Sequence, residues 1–145
     1  KLPEIITDII TQHHGTSLVS FFYQEAVYDD KYQTVDEDEF RYDGPRPESK
    51  EAALVMLADM VEAAVRSNVS VQSNPDKLEK FVHDLVDKKL NDGQLDESDL
   101  TLKEINQIAN SFVNILKSIF HNRVDYPDNI AQQFEEGMGA NGNSD

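Results

Sequence analysis

The sequence has 145 residues, with 28 acidic against 13 basic side chains, a net charge of -15 at pH 7 and no cysteine. That balance excludes a nucleic-acid polymer as partner, which needs a basic stripe, although a small anionic ligand remains compatible with a local Arg or Lys and bound cations. The lack of thiols excludes disulfides and thiolate metal sites, so any metal must sit on His and carboxylate, a donor set suited to Fe, Mn, Mg or Zn. One domain is the natural expectation for this length, and no apolar run of about 18 residues is present to predict a transmembrane helix. The chain opens on Lys1-Leu2-Pro3-Glu4, without Met or a signal-peptide pattern, as a piece cut from a longer protein would.

The predicted elements are all helical. Leu2, Ile5, Ile6, Ile9, Ile10 and His13 follow the i, i+3, i+4 spacing of a buried helix face, and His14 continues it, so both histidines are expected to point inward. Gly15 ends that helix, because glycine tolerates positive φ. A second helix is predicted from Ser17 to about Tyr28, with Leu18, Phe21, Phe22 and Glu25 in register. Residues 29–48 form a loop dense in acids (Asp36-Glu37-Asp38-Glu39) and closed by Gly44-Pro45-Arg46-Pro47, where regular structure is excluded. Its length favours a functional or mobile loop. Ser49 caps a long helix to about Ser67, and Asn74-Pro75 restarts the chain as N-cap and first helical residue of a helix ending at Gly93. Thr101-Leu102-Lys103-Glu104 is a capping box that opens a last helix through Phe120. Beyond about Asn122 the period is lost.

Few residues could carry chemistry. The His13-His14 pair stands at a helix end, where the backbone can relax and let two consecutive imidazoles converge on one metal; on spacing alone a core-satisfied or solvent-exposed pair is the stronger reading. Asp59, inside the apolar run Leu57-Ala58-Asp59-Met60-Val61, is either a metal-bound carboxylate or a surface acid paired with a residue such as Arg66. Arg46, stiffened by its flanking prolines, suits a phosphate clamp or a solvated loop charge. His83-Asp84 spells an HD doublet, but no second His lies nearby in sequence and it reads as surface. Asn91-Asp92-Gly93-Gln94-Leu95-Asp96 fails the calcium-loop pattern and reads as a turn.

Three stretches occur in order: Ile10-Thr11-Gln12-His13-His14-Gly15-Thr16-Ser17, Phe40-Arg41-Tyr42-Asp43-Gly44-Pro45-Arg46-Pro47 and Met56-Leu57-Ala58-Asp59-Met60-Val61-Glu62-Ala63-Ala64. With Asp92-Gly93-Gln94-Leu95-Asp96 and Leu100-Thr101-Leu102 after them, they resemble the C-terminal half of the HD-type phosphohydrolase domain of the bacterial seven-transmembrane HD family. The resemblance covers nearly all of the chain. It implies an HD-domain-like bundle of about five helices lacking its N-terminal helices, with residues 1–122 as the domain's C-terminal part and 123–145 as an acidic, largely flexible tail. Members are membrane-anchored phosphodiesterases that hydrolyse cyclic di-AMP to the linear dinucleotide. The implied mechanism uses a hydroxide bridging two divalent transition metals, Mn or Fe. His13, His14 and Asp59 are the implied metal ligands. The family's other ligands lie N-terminal to Lys1, so this chain alone is expected to be inactive or nearly so. Asp43 stands where the family has proline, and Met60 where it has a small polar residue.

Arg46 and Lys50 are assigned as phosphate contacts on charge and loop position. The implied parent is a bacterial membrane protein with this domain in the cytoplasm. Loss of the first helices would uncover apolar faces, so self-association is expected. Two alternatives stand beside this reading. One is an HD-type phosphohydrolase acting on another nucleotide, and the other a non-catalytic helical interaction module with a vestigial metal site.

Overall fold

The computed structural model describes residues 1–29 and 34–121. These form six α-helices: α1 (Glu4–Gln12), α2 (Ser20–Asp29), α3 (Lys50–Arg66), α4 (Val69–Gln72), α5 (Pro75–Asn91) and α6 (Leu102–His121). The tail predicted for 123–145 lies outside the described residues, and no described helix is long and apolar enough to cross a membrane.

The three long helices start at the caps that the sequence predicts. Ser49 accepts from the Ala52 amide at 3.1 Å, and Asn74 Oδ1 accepts from the amides of Asp76 and Lys77 at 3.1 and 3.0 Å. In the capping box, Glu104 Oε2 accepts from the Thr101 amide at 2.8 Å and from its hydroxyl at 2.9 Å, while Thr101 Oγ1 accepts from the Glu104 amide at 3.2 Å.

Packing follows the periodic stripes. α3 buries Ala53, Met56, Leu57, Val61 and Val65 at the centre; α5 adds Leu78, Val82 and Val86, and α6 adds Ile105, Ala109 and Val113. Each fully buried Leu or Val contributes about 1.5–3 kcal/mol, which makes α3 the scaffold on which the rest is hung.

The bundle of about five helices stands, with one addition: the single turn α4 buries Val71 and lets Gln72 Nε2 donate to the Val65 and Arg66 carbonyls at the end of α3. Two expectations need correction. The α1 stripe is apolar but not buried; Ile10 is 56% exposed and only Gln12 of that helix is buried, because α1 meets α3 without a second helix closing over its other face. And α2 starts at Ser20, not Ser17. Residues 17–19 are instead drawn into an antiparallel bridge with the following loop, where Val19 N–H donates to Phe40 O at 2.8 Å and Tyr42 N–H to Ser17 O at 3.1 Å. Phe21 is left 70% exposed.

Lys50 Nζ also donates to Glu104 Oε1 at 2.6 Å, tying α3 to α6. This bond, followed by the two from Thr101, holds the Glu104 carboxyl down at about 2, against its ordinary 4.5. A folded-state value below the unfolded one stabilises above pH 4.5, and that stabilisation is lost as pH falls from there toward 2. The gap in melting temperature between the chain and Glu104→Gln is therefore expected to be full at pH 6 and to close below pH 4.5. A gap independent of pH across that range would refute the ion-pair account.

Candidate functional site

Where α1 ends, the chain makes a tight turn through His13-His14-Gly15-Thr16. Gly15 sits at φ +56°, and a Cβ built there would lie 2.5 Å from Gln94 Oε1 and 2.7 Å from Met56 Cε. The turn is fastened at both ends. On the α1 side, Gln12 Nε2 donates to Glu48 Oε2 at 3.2 Å, and Gln12 Oε1 accepts from the Glu48 amide at 3.0 Å. On the other, Thr16 N–H donates to Gln94 Oε1 at 2.9 Å, while Gln94 Nε2 donates to Thr16 Oγ1 and to Asp92 Oδ2, both at 2.9 Å. An amide N–H can only donate, so the Gln94 orientation follows from Thr16. Gln94 is completely buried, and its polar atoms are all partnered.

Arg41 closes the network. It donates to Thr16 O at 2.9 Å and reaches both oxygens of Asp92, at 3.2 and 3.0 Å, and Glu37 at 2.6 Å. Burial alone would push the Asp92 carboxyl up, but hydrogen bonds from Arg41 and Gln94, with the charges of Arg41 and Lys89, hold it below its ordinary range.

This clamp presents two imidazoles. His13 Nδ1 lies 3.0 Å from the carbonyl oxygens of both Ile9 and Ile10. Those oxygens only accept, so Nδ1 carries the proton and Nε2 keeps its lone pair, the tautomer a metal ligand needs. The His14 ring is 4.0 Å from His13, centroid to centroid, and stacks on Tyr42 at 4.5 Å and 9°. Desolvation, with the charges of His13 and Lys89, lowers the His14 pKa against the opposing pull of Asp59.

Both histidines line a cleft of about 580 Å³ together with Ser17, Tyr42, Asp59 and Lys89. The cleft is open, so the expectation of inward-pointing histidines is corrected: His13 is half-buried and His14 exposed. Asp59 is exposed too, with no ion pair among the described residues, and Arg66 pairs with Glu62 at 3.2 Å instead. Among the described residues no three His, Asp or Glu side chains are assembled closely enough to hold an ion. The three predicted ligands thus line one cleft without being closed around a point.

No protein-family model matches the chain. It is 50% identical over 128 residues to the cyclic-di-AMP phosphodiesterase PgpH of Bacillus subtilis, and 39% identical over 127 residues to that of Listeria monocytogenes. Each alignment covers 88% of this chain but 17% of the relative, so the chain spans about a sixth of their length. The crystal structure of the L. monocytogenes PgpH HD domain in complex with cyclic-di-AMP matches with a TM-score of 0.75 at 36% identity, over 81% of this chain and 53% of that one. A second crystal structure of that domain gives 0.73 at 37% identity. The chain is homologous to the PgpH HD domain.

Within this chain the two predicted phosphate contacts lie outside the histidine cleft. Arg46 Nε donates to Thr16 Oγ1 at 3.2 Å, and Lys50 is committed to Glu104; neither lines the cleft. The cation that does is Lys89, whose Nζ donates to Ser17 Oγ. Desolvation lowers its pKa, opposed first by Asp92. A trace of it is in the sequence, since Lys89 follows Val82 by seven and Val86 by three and so continues the buried α5 stripe. Gln94 and Asp92 leave no such trace, because Gln94 meets Thr16 across 78 positions and Asp92 meets Arg41 across 51. His83 is half-buried rather than on the surface, and its Nε2 meets Asn110 Oδ1 at 3.1 Å, a helix-to-helix tie away from the cleft.

Proposed function

We propose that this chain is the C-terminal part of an HD-type phosphodiesterase domain that opens cyclic di-AMP to the linear dinucleotide with two divalent ions, Mn or Fe, its ligand set completed by residues upstream of Lys1. The observation that carries this reading is the common cleft of His13, His14 and Asp59, with His13 held as the Nδ1–H tautomer, in a chain half identical to a PgpH phosphodiesterase.

The residues present fit part of such a centre. Two imidazoles and an unpaired carboxylate are a donor set for Mn or Fe, and three groups are too few for two ions. His13 Nε2, His14 and Asp59 would hold metal here, and when bound the ions supply Lewis-acid stabilisation of phosphate oxygens and activation of water. The chain's own contribution is orientation: the Ile9 and Ile10 carbonyls fix His13, the Tyr42 ring supports His14, and the buried Gln94 holds the turn that follows them at Thr16. The open apolar face of α1 is where the upstream part of the domain would pack; in the isolated chain it is the face that would self-associate. A membrane anchor, which the resemblance implies for the parent, belongs outside the described residues.

The test is Mn²⁺-dependent hydrolysis of cyclic di-AMP by this chain and by one extended through its upstream sequence. Product is expected only from the extended chain, and none after Asp59→Ala. Turnover of a different nucleotide would keep the enzyme class and replace the substrate, and no turnover of any nucleotide would favour a binding module.

A further inference from the structure

The histidine cleft has a neighbour. A second cavity of about 560 Å³ adjoins it, lined by Leu18, Met60, Leu85 and Asn91 among others, and the two share Leu18, Ser20, Met60 and Lys89. Lys89 therefore stands on the wall between them. It is half-buried, yet among the described residues it has no carboxylate within ion-pair distance, in a chain with 28 acidic residues. Of its three ammonium donors, one goes to Ser17 Oγ. Asp92 attracts Lys89 across the same cavity, but it is ion-paired directly with Arg41. A partly desolvated cation without a direct ion pair costs folding stability, and such violations concentrate at functional sites. The second cavity also holds Arg41, which is saturated by Thr16, Asp92 and Glu37, and Lys88, which does not line the histidine cleft; Lys89 is the cation that lines both and stands beside the histidines to meet an anion.

We propose that Lys89 is the phosphate-binding residue of this cleft, its ammonium contacting a phosphoryl oxygen of a nucleotide whose phosphate lies beside the histidines and whose nucleoside occupies the second cavity. The inference rests on the phosphodiesterase reading for its ligand class. The apolar wall of Leu18, Met60 and Leu85 suits a base and sugar, while Asn91 offers both a donor and an acceptor to a base edge. Lys89 holds the ligand and takes no part in bond making.

The experiment titrates AMP, and separately adenosine, into this chain while the methyl signals of Met60 and Leu85 are followed by NMR, for the unaltered chain, Lys89→Met and Lys89→Arg. AMP is expected to shift both signals in the unaltered chain. Lys89→Met should weaken AMP binding about tenfold or more and leave adenosine unaffected, while Lys89→Arg restores AMP binding. Lys89→Met should also melt no lower than the unaltered chain, since it removes a partly desolvated cation that makes no direct ion pair. Equal AMP affinity in Lys89→Met, AMP binding that leaves Met60 and Leu85 unmoved, or no AMP binding would each overturn the proposal. So would a lower melting temperature, which would assign Lys89 to holding Ser17. Lys89-dependent AMP binding in a protein that, when extended, leaves cyclic di-AMP intact would retain this assignment and remove the substrate named above. Hydrolysis of cyclic di-AMP with AMP binding indifferent to Lys89 would do the reverse.

Discussion

Gly15→Ala is expected to destabilise the chain by about 2–5 kcal/mol, from the penalty of a left-handed backbone with a Cβ and from the loss of buried hydrogen bonds. The methyl would meet Gln94 Oε1 at 2.5 Å and Met56 Cε at 2.7 Å. Both atoms end side chains that bend freely elsewhere, but not here: Gln94 is completely buried and bonded to Thr16 and Asp92, and Met56 is packed in the core. Moving Gln94 breaks its bonds to Thr16, so the histidine turn should loosen with the fold. Gly93→Ala is the internal comparison. Its φ is also positive, but its Cβ would meet the ends of two side chains, the exposed Asp96 carboxylate at 3.0 Å and the partly exposed Arg46 at an ordinary 3.6 Å, so the cost should be near the backbone penalty alone. Urea unfolding of the two variants measures the difference, and equal midpoints would show that the Gln94 contact is not what constrains the turn.

His14→Ala and Asp59→Ala are each expected to weaken Mn²⁺ binding by the extended chain more than about 100-fold, since loss of a supporting residue already costs about 10–100-fold and these would be ligands. Gln94→Leu, which keeps the volume and removes the bonds to Thr16, should fall within the lower range. Lys50→Ala should leave metal affinity unchanged, because its ammonium is bound to Glu104 on α6. Calorimetric Mn²⁺ titration of the four variants gives the ranking. Undiminished affinity in Asp59→Ala would remove that carboxylate from the site and leave the histidine pair to be explained as part of the Tyr42 stack.

Much of this architecture is written locally and could be read from the sequence. The helices of the core have sustained apolar periods, and Ser49, Asn74-Pro75 and the Thr101–Glu104 box cap them as their chemistry predicts. Gly15 was readable as a terminator for the same reason. What periodicity cannot report is what covers an apolar face: the α1 stripe is as regular as that of α5, and only packing decides that Ile10 stays exposed while Val86 is buried. Nor does loop position report reach: Arg46 donates to Thr16 and Lys50 to Glu104, and neither lines the histidine cleft. The least legible part is the clamp of Gln94, Asp92 and Arg41. Its members look like turn and loop residues, and their meaning lies in partners far along the chain.

That separation bears on the order in which the site is made. The histidines precede every long-range tie that fixes them: Glu48 follows Gln12 by 36 residues, Asp92 follows Arg41 by 51, and Gln94 follows Thr16 by 78. On a nascent chain both imidazoles emerge early, but their turn stays unsettled until α3 and α5 have left the ribosome and closed against it, an assembly of non-local contacts that is slow by nature. Under the metal reading proposed above, loading would follow folding, because a half-made chain has no prearranged turn to offer an ion.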